Sequence, residues 1–218
     1  MDDKDFYMYL LVDFSNFEES IIIQNYCGKK FNEDESLNLE NIPQKLKEFH
    51  LLNNGFGISW HVKNKKTFFG GFNFISIEEI YENYNNILFF EDDLEEDPLV
   101  GVFRPFDEIS PEIRCGFIDD SQEEIESIYL HSISNNSGLE DLDINFDGYI
   151  ELMKMCWGYN NWPLILLYIQ EENNNLDEFD RLNKELVENF KKNMPKVFSD
   201  FSWDVFVEKY NYLRLSNK

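Results

Sequence analysis

The chain has 218 residues, of which 43% are hydrophobic and 17% aromatic, and this apolar content excludes a disordered chain. Its 19 basic and 43 acidic side chains give a formal net charge of −24. Such a charge repels phosphate backbones and anionic membranes, so we expect neither direct nucleic-acid binding nor membrane binding. It attracts basic proteins, although the same acidity also serves solubility alone.

The cysteines and the apolar segments indicate the compartment. Cys27, Cys115 and Cys156 lie far apart without CxxC spacing, so neither a disulfide framework nor a cysteine zinc site is predicted. The apolar run from residue 6 to residue 12 is short, is interrupted by Asp13 and lacks the positive region of a signal peptide. No stretch approaches the roughly 20 apolar residues that span a bilayer. We therefore expect a cytoplasmic protein.

The first third of the chain predicts helix, strand and turn in succession. A short helix is expected after Ser15 in "SNFEESIII". In "NIPQKLKEFHLLNNG", Pro43 occupies a first helical turn, apolar residues recur at helical spacing, and Asn54-Gly55 ends the run. "FGISWHVK" alternates apolar and polar residues and predicts a half-buried strand that contains Trp60.

The middle of the chain predicts strands separated by loops. "NKKTFFGG" predicts a turn and a short strand that closes on Gly70-Gly71. A short helix follows, in which Ser76 and Glu79 form a capping box. "LVGVFRPF", "EIRCGFID" and "EIESIYLHSI" predict strands, whereas the acidic "EDDLEEDP" and the polar "NNSGLEDLD" predict loops.

The last third predicts helices. Phe146, Tyr149, Ile150, Met153 and Trp157 follow helical spacing, and Gly158 ends that helix. "LILLYIQ" fits either a strand or a buried helix. "NLDEFDRLNKELVENFKKN" predicts an amphipathic helix that Pro195 breaks, and a final helix is expected to bury four residues, Trp203, Phe206, Val207 and Tyr210.

The stretch "DINFDGYIELMK" resembles the start of an EF-hand calcium loop. Asp143, Asn145 and Asp147 stand at loop positions 1, 3 and 5, and Gly148 stands at position 6. Position 12, which should supply a bidentate glutamate, is Lys154, and no helix is predicted before the loop. We therefore expect a helix start capped by Asn145, and no metal site.

No catalytic constellation emerges from the sequence. There is no GxSxG elbow, no HExxH pair and no Walker lysine beside the glycines. Because 43 acids guarantee that some lie close together, a carboxylate pair does not indicate a glycosidase. We expect His50 to be a surface residue or a polar residue with satisfied hydrogen bonds. The prediction is a protein with no catalytic residue and no cofactor.

Two runs of acidic residues are the candidate partner-binding surface. They carry few compensating lysines or arginines, so they present negative charge to a basic protein partner. The candidate residues are Glu91, Asp92, Asp93, Glu95, Glu96, Asp97, Asp119, Asp120, Glu123 and Glu124.

Several motifs resemble the SUKH superfamily, which includes the yeast Smi/Knr cell-wall regulator and many bacterial toxin-immunity proteins. "IPQKLKEFHLLNNGFGISW" matches the superfamily's helix, Asn-Gly turn and aromatic strand, and "INFDGYIELMKMCWGYNNWPL" matches its later helix. The resemblance covers about residues 40–165. Its motif residues are Pro43, Asn54, Gly55, Trp60, Gly71, Tyr149, Gly158 and Trp162.

The resemblance implies an α+β fold with a small, mostly antiparallel central sheet flanked by helices. We expect one domain over 1–218, with a core at about 40–165, an N-terminal extension at 1–39 and extra C-terminal helices at 166–218. The implied function is that of a non-catalytic immunity protein that neutralises a basic toxin domain such as a nuclease. The alternative is a scaffold or regulatory subunit of a protein complex.

Overall fold

The structure is a computed structural model, and it describes residues 21–29, 42–52, 54–63, 68–82, 98–119, 125–132, 138–174 and 181–217. Within this part of the chain, seven strands form one antiparallel sheet in which each strand lies beside the next in sequence. They are β1 (Ile21–Lys29), β2 (Asn54–Val62), β3 (Phe69–Phe74), β4 (Phe103–Ser110), β5 (Ile113–Ile118), β6 (Tyr129–Ser132) and β7 (Leu139–Asp141).

Six α-helices flank the sheet in the same described residues. They are α1 (Gln44–Leu52), α2 (Ile77–Ile80), α3 (Phe146–Cys156), α4 (Trp162–Asn174), α5 (Arg181–Val197) and α6 (Trp203–Leu213). Two 3₁₀ turns, at Pro98–Val102 and Leu215–Asn217, complete the described elements. The predicted α+β class, with an antiparallel sheet and additional C-terminal helices, is confirmed.

The helices and the sheet share one main hydrophobic core. Trp60, Phe106 and Trp162 belong to it, and so do Phe190 of α5 and Phe206 of α6. Helix α3 packs against α6, and α4 packs against α5. Because α4 runs across residue 165, no break in the packing separates the C-terminal helices from the preceding elements.

The ambiguous run "LILLYIQ" lies in helix α4. Ile165, Leu166 and Ile169 are buried at helical spacing. Position in the chain decided the outcome, because this apolar run follows α3 directly and covers the sheet instead of extending it.

Three of the predicted elements are wrong at the sheet. Ile21–Ile23, expected in a helix, begin β1, since three consecutive β-branched residues favour a strand. Gly70-Gly71, expected to close a strand, lies inside β3, which continues to Phe74. Part of the loop "NNSGLEDLD" forms the short edge strand β7, which pairs with β6.

Two further boundaries differ from the prediction. Residues 99–102, expected in a strand, form a 3₁₀ turn before β4. Pro195 does not break its helix, because α5 continues to Val197. Proline has no backbone N–H, so one hydrogen bond is missing from the last turn of the helix. Phe190, on the apolar face of this helix, is fully buried.

The sheet has a weak junction between β3 and β4, which we call the seam. The two strands share one register pair, Phe74 with Asp107, and one further bond from the Ile75 N–H to the Phe106 carbonyl at 3.0 Å. By contrast, β2 pairs with β3 over six consecutive positions. Beyond Asp107 the two strands separate, and other parts of the chain fill the space between them.

Candidate functional site

Three residues that carry the family resemblance, Trp60, Gly71 and Gly158, meet beside the seam. The Trp60 indole N–H on β2 donates to the Trp157 carbonyl at 2.6 Å, and the Gly71 N–H on β3 donates to the Gly158 carbonyl at 2.7 Å. Trp60 is 1% exposed. The turn after α3 is thus bonded directly to the middle of the sheet.

The approach of the turn requires glycine at Gly158, and the pairing of β3 with β2 requires glycine at Gly71. A Cβ atom on Gly158 would lie 2.4 Å from the Gly71 carbonyl oxygen, and Gly158 has a positive φ of 58°. A Cβ atom on Gly71 would lie 2.2 Å from the Ile58 carbonyl oxygen. Since the obstructing atoms belong to the backbone, no side-chain rotation relieves either clash.

A buried carboxylate bridges the seam from the β4 side. Asp107 has no solvent exposure, and its Oδ1 accepts the Asn73 N–H at 2.8 Å while its Oδ2 accepts the Tyr149 hydroxyl at 2.7 Å. Asp107 therefore joins β3, β4 and α3. Burial raises the pKa of Asp107 to about 6, against the two hydrogen bonds that favour the ionised form.

Among the residues that the structure describes, no cation contributes to the pKa of Asp107. Burial and the neighbouring Asp107 charge raise the pKa of the Cys115 thiol and of the Tyr149 hydroxyl well above their usual values. Both groups are thus uncharged donors beside the carboxylate. Of this cluster, the sequence predicts Tyr149 as a motif residue and does not predict Asp107.

The edge of β3 that faces β4 is already occupied. The Phe69 carbonyl accepts the Asn160 N–H at 3.1 Å, the Gly71 N–H binds Gly158, and the Asn73 N–H binds Asp107. A strand from another molecule would have to displace all three bonds. The seam is therefore closed to strand addition.

A cleft remains on the surface of the seam, with a volume of about 240 Å³. Its walls come from β2, β3, β4 and the turn after α3, and the side chains that matter for binding are Ser59, Phe69, Asn73, Glu108, Ile109 and Asn160. Phe69 is 40% exposed. The Arg114 guanidinium binds Glu108 Oε1 at 2.8 Å, and Asn73 Nδ2 lies 3.4 Å from Glu108 Oε2.

The EF-hand-like stretch does not gather its oxygens around one point. Asp143 Oδ2 accepts Arg214 Nε at 2.6 Å and its Oδ1 accepts the Ser216 N–H at 2.9 Å, so this carboxylate binds the C-terminal turn. Asn145 Oδ1 accepts the Gly148 N–H at 3.0 Å and caps α3 as expected. Asp147 pairs with Lys45, in the first turn of α1.

These contacts explain the ionisation of Asp143. The Ser216 and Arg214 side chains lower the pKa of its carboxyl group against the opposing effect of partial burial. Among the described residues, no group of three or more His, Cys, Asp or Glu side chains is arranged to hold a metal ion.

Most of the predicted acidic surface lies outside the described residues. This applies to residues 91–97 and to Asp120, Glu123 and Glu124. Asp119 is described, and it lies at the end of β5 with its Oδ2 at 3.3 Å from Arg104 Nε. The charge of this predicted partner-binding residue is thus matched by an arginine within the fold.

The remaining motif residues stabilise turns, a helix start or the core. Asn54 Oδ1 accepts the Ile77 N–H at 2.8 Å and its Nδ2 donates to Glu78 at 2.6 Å, so Asn54 holds the start of α2. Gly55 follows it with a φ of 87°. Pro43 is buried just before α1, and Trp162 is buried against Tyr149 at a ring separation of 4.9 Å.

The expectation for His50 is wrong. This residue, in the last turn of α1, has no solvent exposure, and neither ring nitrogen has a hydrogen-bond partner among the described residues. Desolvation lowers the pKa of His50 to about 3, so the imidazole is neutral. The signal in the sequence is the position of His50 beside Phe49, which is also buried. The prediction placed His50 at the surface or gave it satisfied hydrogen bonds.

Comparison with protein-family models, with curated proteins and with solved structures finds no match for this chain. The resemblance to the SUKH superfamily stays a prediction that rests on the motif residues themselves. No helix in the described part of the chain is long and apolar enough to cross a membrane.

Proposed function

We propose that this protein is a non-catalytic binding protein that neutralises a basic protein, in the manner of an immunity protein that occludes a toxin domain. The observation that carries the proposal is the formal net charge of −24. A chain with this charge attracts basic surfaces over long range and accelerates the encounter with them. Nuclease toxins fit this description, because enzymes that bind phosphate backbones present lysine and arginine.

The distribution of ion pairs supports the acidic runs as the binding surface. Three partly buried acids of the described residues, Glu108, Asp119 and Asp143, each lie beside an arginine. The six acids within residues 91–97 have no lysine or arginine among them. The sequence thus supplies no compensating cation within this run, which supports it as the candidate surface for a basic partner.

The packing of the motif residues supports the family resemblance on which the immunity function rests. Trp60, Gly71 and Gly158 come from separate motif segments and are joined through the turn after α3. Tyr149 and Trp162, from the later motif, pack against each other. Residues from separate motifs thus share one part of the fold, which supports the resemblance.

Co-expression tests the proposal. The product of the adjacent gene should inhibit growth when expressed alone, and co-expression of this protein should restore growth. Neutralising the acids of residues 91–97 to Gln or Asn should slow association with the purified neighbour and flatten its dependence on salt.

The matched control neutralises six exposed acids elsewhere on the described surface, removes the same net charge and should slow association less. Suitable residues are Glu112, Glu126, Glu185, Asp200, Asp204 and Glu208. A neighbour that is not toxic, or toxicity that persists on co-expression, contradicts the immunity function. Recovery of several endogenous partners by affinity purification would instead favour the scaffold alternative.

A further inference from the structure

The cleft at the seam is lined by one acidic side chain, neutral polar side chains and an aromatic ring. Among the described residues that line it, Glu108 is the sole ionisable side chain, and the amides of Asn73 and Asn160 and the hydroxyl of Ser59 add further acceptors. The Phe69 ring forms an apolar wall and is 40% exposed. The cleft therefore offers an acid, neutral acceptors and one accessible aromatic ring.

The size of the cleft limits what can occupy it. Pockets that bury drug-sized ligands measure about 300–1,000 Å³, and this cleft measures about 240 Å³. An added β-strand is also excluded, since the facing edge of β3 already binds Gly158, Asn160 and Asp107. A single side chain of another protein fits both limits.

The electrostatics favour a cation. Arg114 occupies Glu108 Oε1, whereas Oε2 receives one long contact of 3.4 Å from Asn73, so this oxygen retains acceptor capacity. The buried Asp107 carboxylate lies next to Glu108 in sequence, and the two acids interact electrostatically. Glu108 lines the cleft, and with Asp107 and Arg114 behind it the three side chains carry one more negative than positive charge.

We propose that the seam cleft receives an arginine side chain of a basic protein partner, with the guanidinium bound to Glu108 and lying against the Phe69 ring. This inference rests on the proposed protein-binding function and names the surface that would contact the partner. Arginine fits better than lysine because its planar group stacks on an aromatic face and supplies several donors to several acceptors, whereas the ammonium is a strongly hydrated point charge.

An NMR titration tests the site without knowledge of the partner. N-acetyl-arginine amide, added to the ¹⁵N-labelled full chain, should shift the amide signals of cleft residues, above all Ser59, Asn73, Ile109 and Asn160. N-acetyl-citrulline amide, which has nearly the same shape without the charge, should shift them far less. N-acetyl-lysine amide should bind more weakly than the arginine amide. Equal shifts with citrulline, or equal binding of lysine, overturn the proposal.

Variants locate the interaction. Glu108→Gln should weaken binding of the arginine amide by about five- to tenfold, the effect of losing one partly exposed charge-assisted bond. Glu112→Gln, which changes an exposed acid outside the cleft, is the matched control and should have no effect. Ser59→Lys places a cation of the chain itself at the cleft and should abolish binding, which keeps the test decisive even if Glu108→Gln alters the fold.

The two proposals fail in different ways. If the arginine amide binds the cleft but the adjacent gene product is harmless, the cleft stands and the immunity function falls. If the protein neutralises a toxin and Glu108→Gln and Ser59→Lys neutralise it equally well, the immunity function stands and the cleft proposal is overturned.

Discussion

The sheet has two halves that are held together by different means. Strands β1 to β3 pair in unbroken register, from the Ile21–Val62 pair to the Phe56–Phe74 pair. Strands β4 and β5 contain two register shifts, and the strands shorten to three residues at β7. Between the halves, the seam relies on the turn after α3 and on the Asp107 side chain. The difference shows that the regular half depends on backbone pairing, and the seam on individual side chains and glycines.

Gly158→Ala should be the most destabilising change at the seam. The new Cβ would lie 2.4 Å from the Gly71 carbonyl oxygen, and the positive φ of 58° adds backbone strain. Together the clash and the strain should lower the free energy of unfolding by about 3–5 kcal/mol, measured by urea denaturation. Gly138→Ala is the control, since a Cβ there meets nothing within 4 Å. A loss below about 1 kcal/mol for Gly158→Ala would show that the turn does not brace the seam.

Asp107→Asn should remove a pH dependence from the seam. The pKa of Asp107 in the fold is raised to about 6 from 3.8, so the folded state holds a proton that the unfolded state has released. The stabilising contribution is complete below pH 3.8 and is lost as the pH rises through about 6. From about pH 4 to about pH 7, the variant should gain up to about 3 kcal/mol relative to the natural chain. A pH-independent difference in urea denaturation would contradict the buried, ionisable carboxylate.

His50→Leu should change the pH dependence of the free energy of unfolding in the opposite direction. His50 lies on α1, which packs against the regular half of the sheet. The pKa of His50 is lowered from 6.5 to about 3, so only the unfolded state takes up a proton between these values. This contribution is complete above pH 6.5 and is lost as the pH falls. Relative to the natural chain, the variant should gain about 2 kcal/mol between about pH 6.5 and about pH 5. The free energy of unfolding changes with pH in opposite directions in the two single variants, relative to the natural chain. The double variant His50→Leu with Asp107→Asn should therefore differ less from the natural chain over this pH range than either single variant does.

The same contrast explains what the sequence could predict. Alternation identified β2, and helical spacing identified α1, α3 and α6, because each of these elements buries one regular face. At the seam, where the register shifts between Pro105 and Asp107, the three consecutive residues Pro105, Phe106 and Asp107 are buried. A bulge of this kind breaks the period of two on which strand prediction depends, so a buried acid was hidden within "FRPFDEIS".

The sequence predicts some residues of the candidate site and not others. Trp60, Gly71 and Gly158 were found through the motif resemblance, and they do line or brace the seam. Glu108 and Asn73 carry no local signal, because their role depends on the separation of β3 from β4, which is a tertiary feature. Composition, in contrast, directed attention to acidic runs that lie almost entirely outside the described residues.

Asn145→Ala should have the smallest effect, and it decides between a helix cap and a metal ligand. Loss of the 3.0 Å bond from the Gly148 N–H should lower the free energy of unfolding by about 1 kcal/mol, and Asn145→Asp, which preserves a capping oxygen, should lower it by much less. Millimolar calcium should not raise the melting temperature of the natural chain, because Arg214 and Ser216 already occupy the Asp143 carboxylate. If calcium did stabilise the natural chain, and Asn145→Ala abolished that effect, "DINFDGYIELMK" would be a metal loop, and the bonds of Asp143 to the C-terminal turn would have to open for calcium to enter.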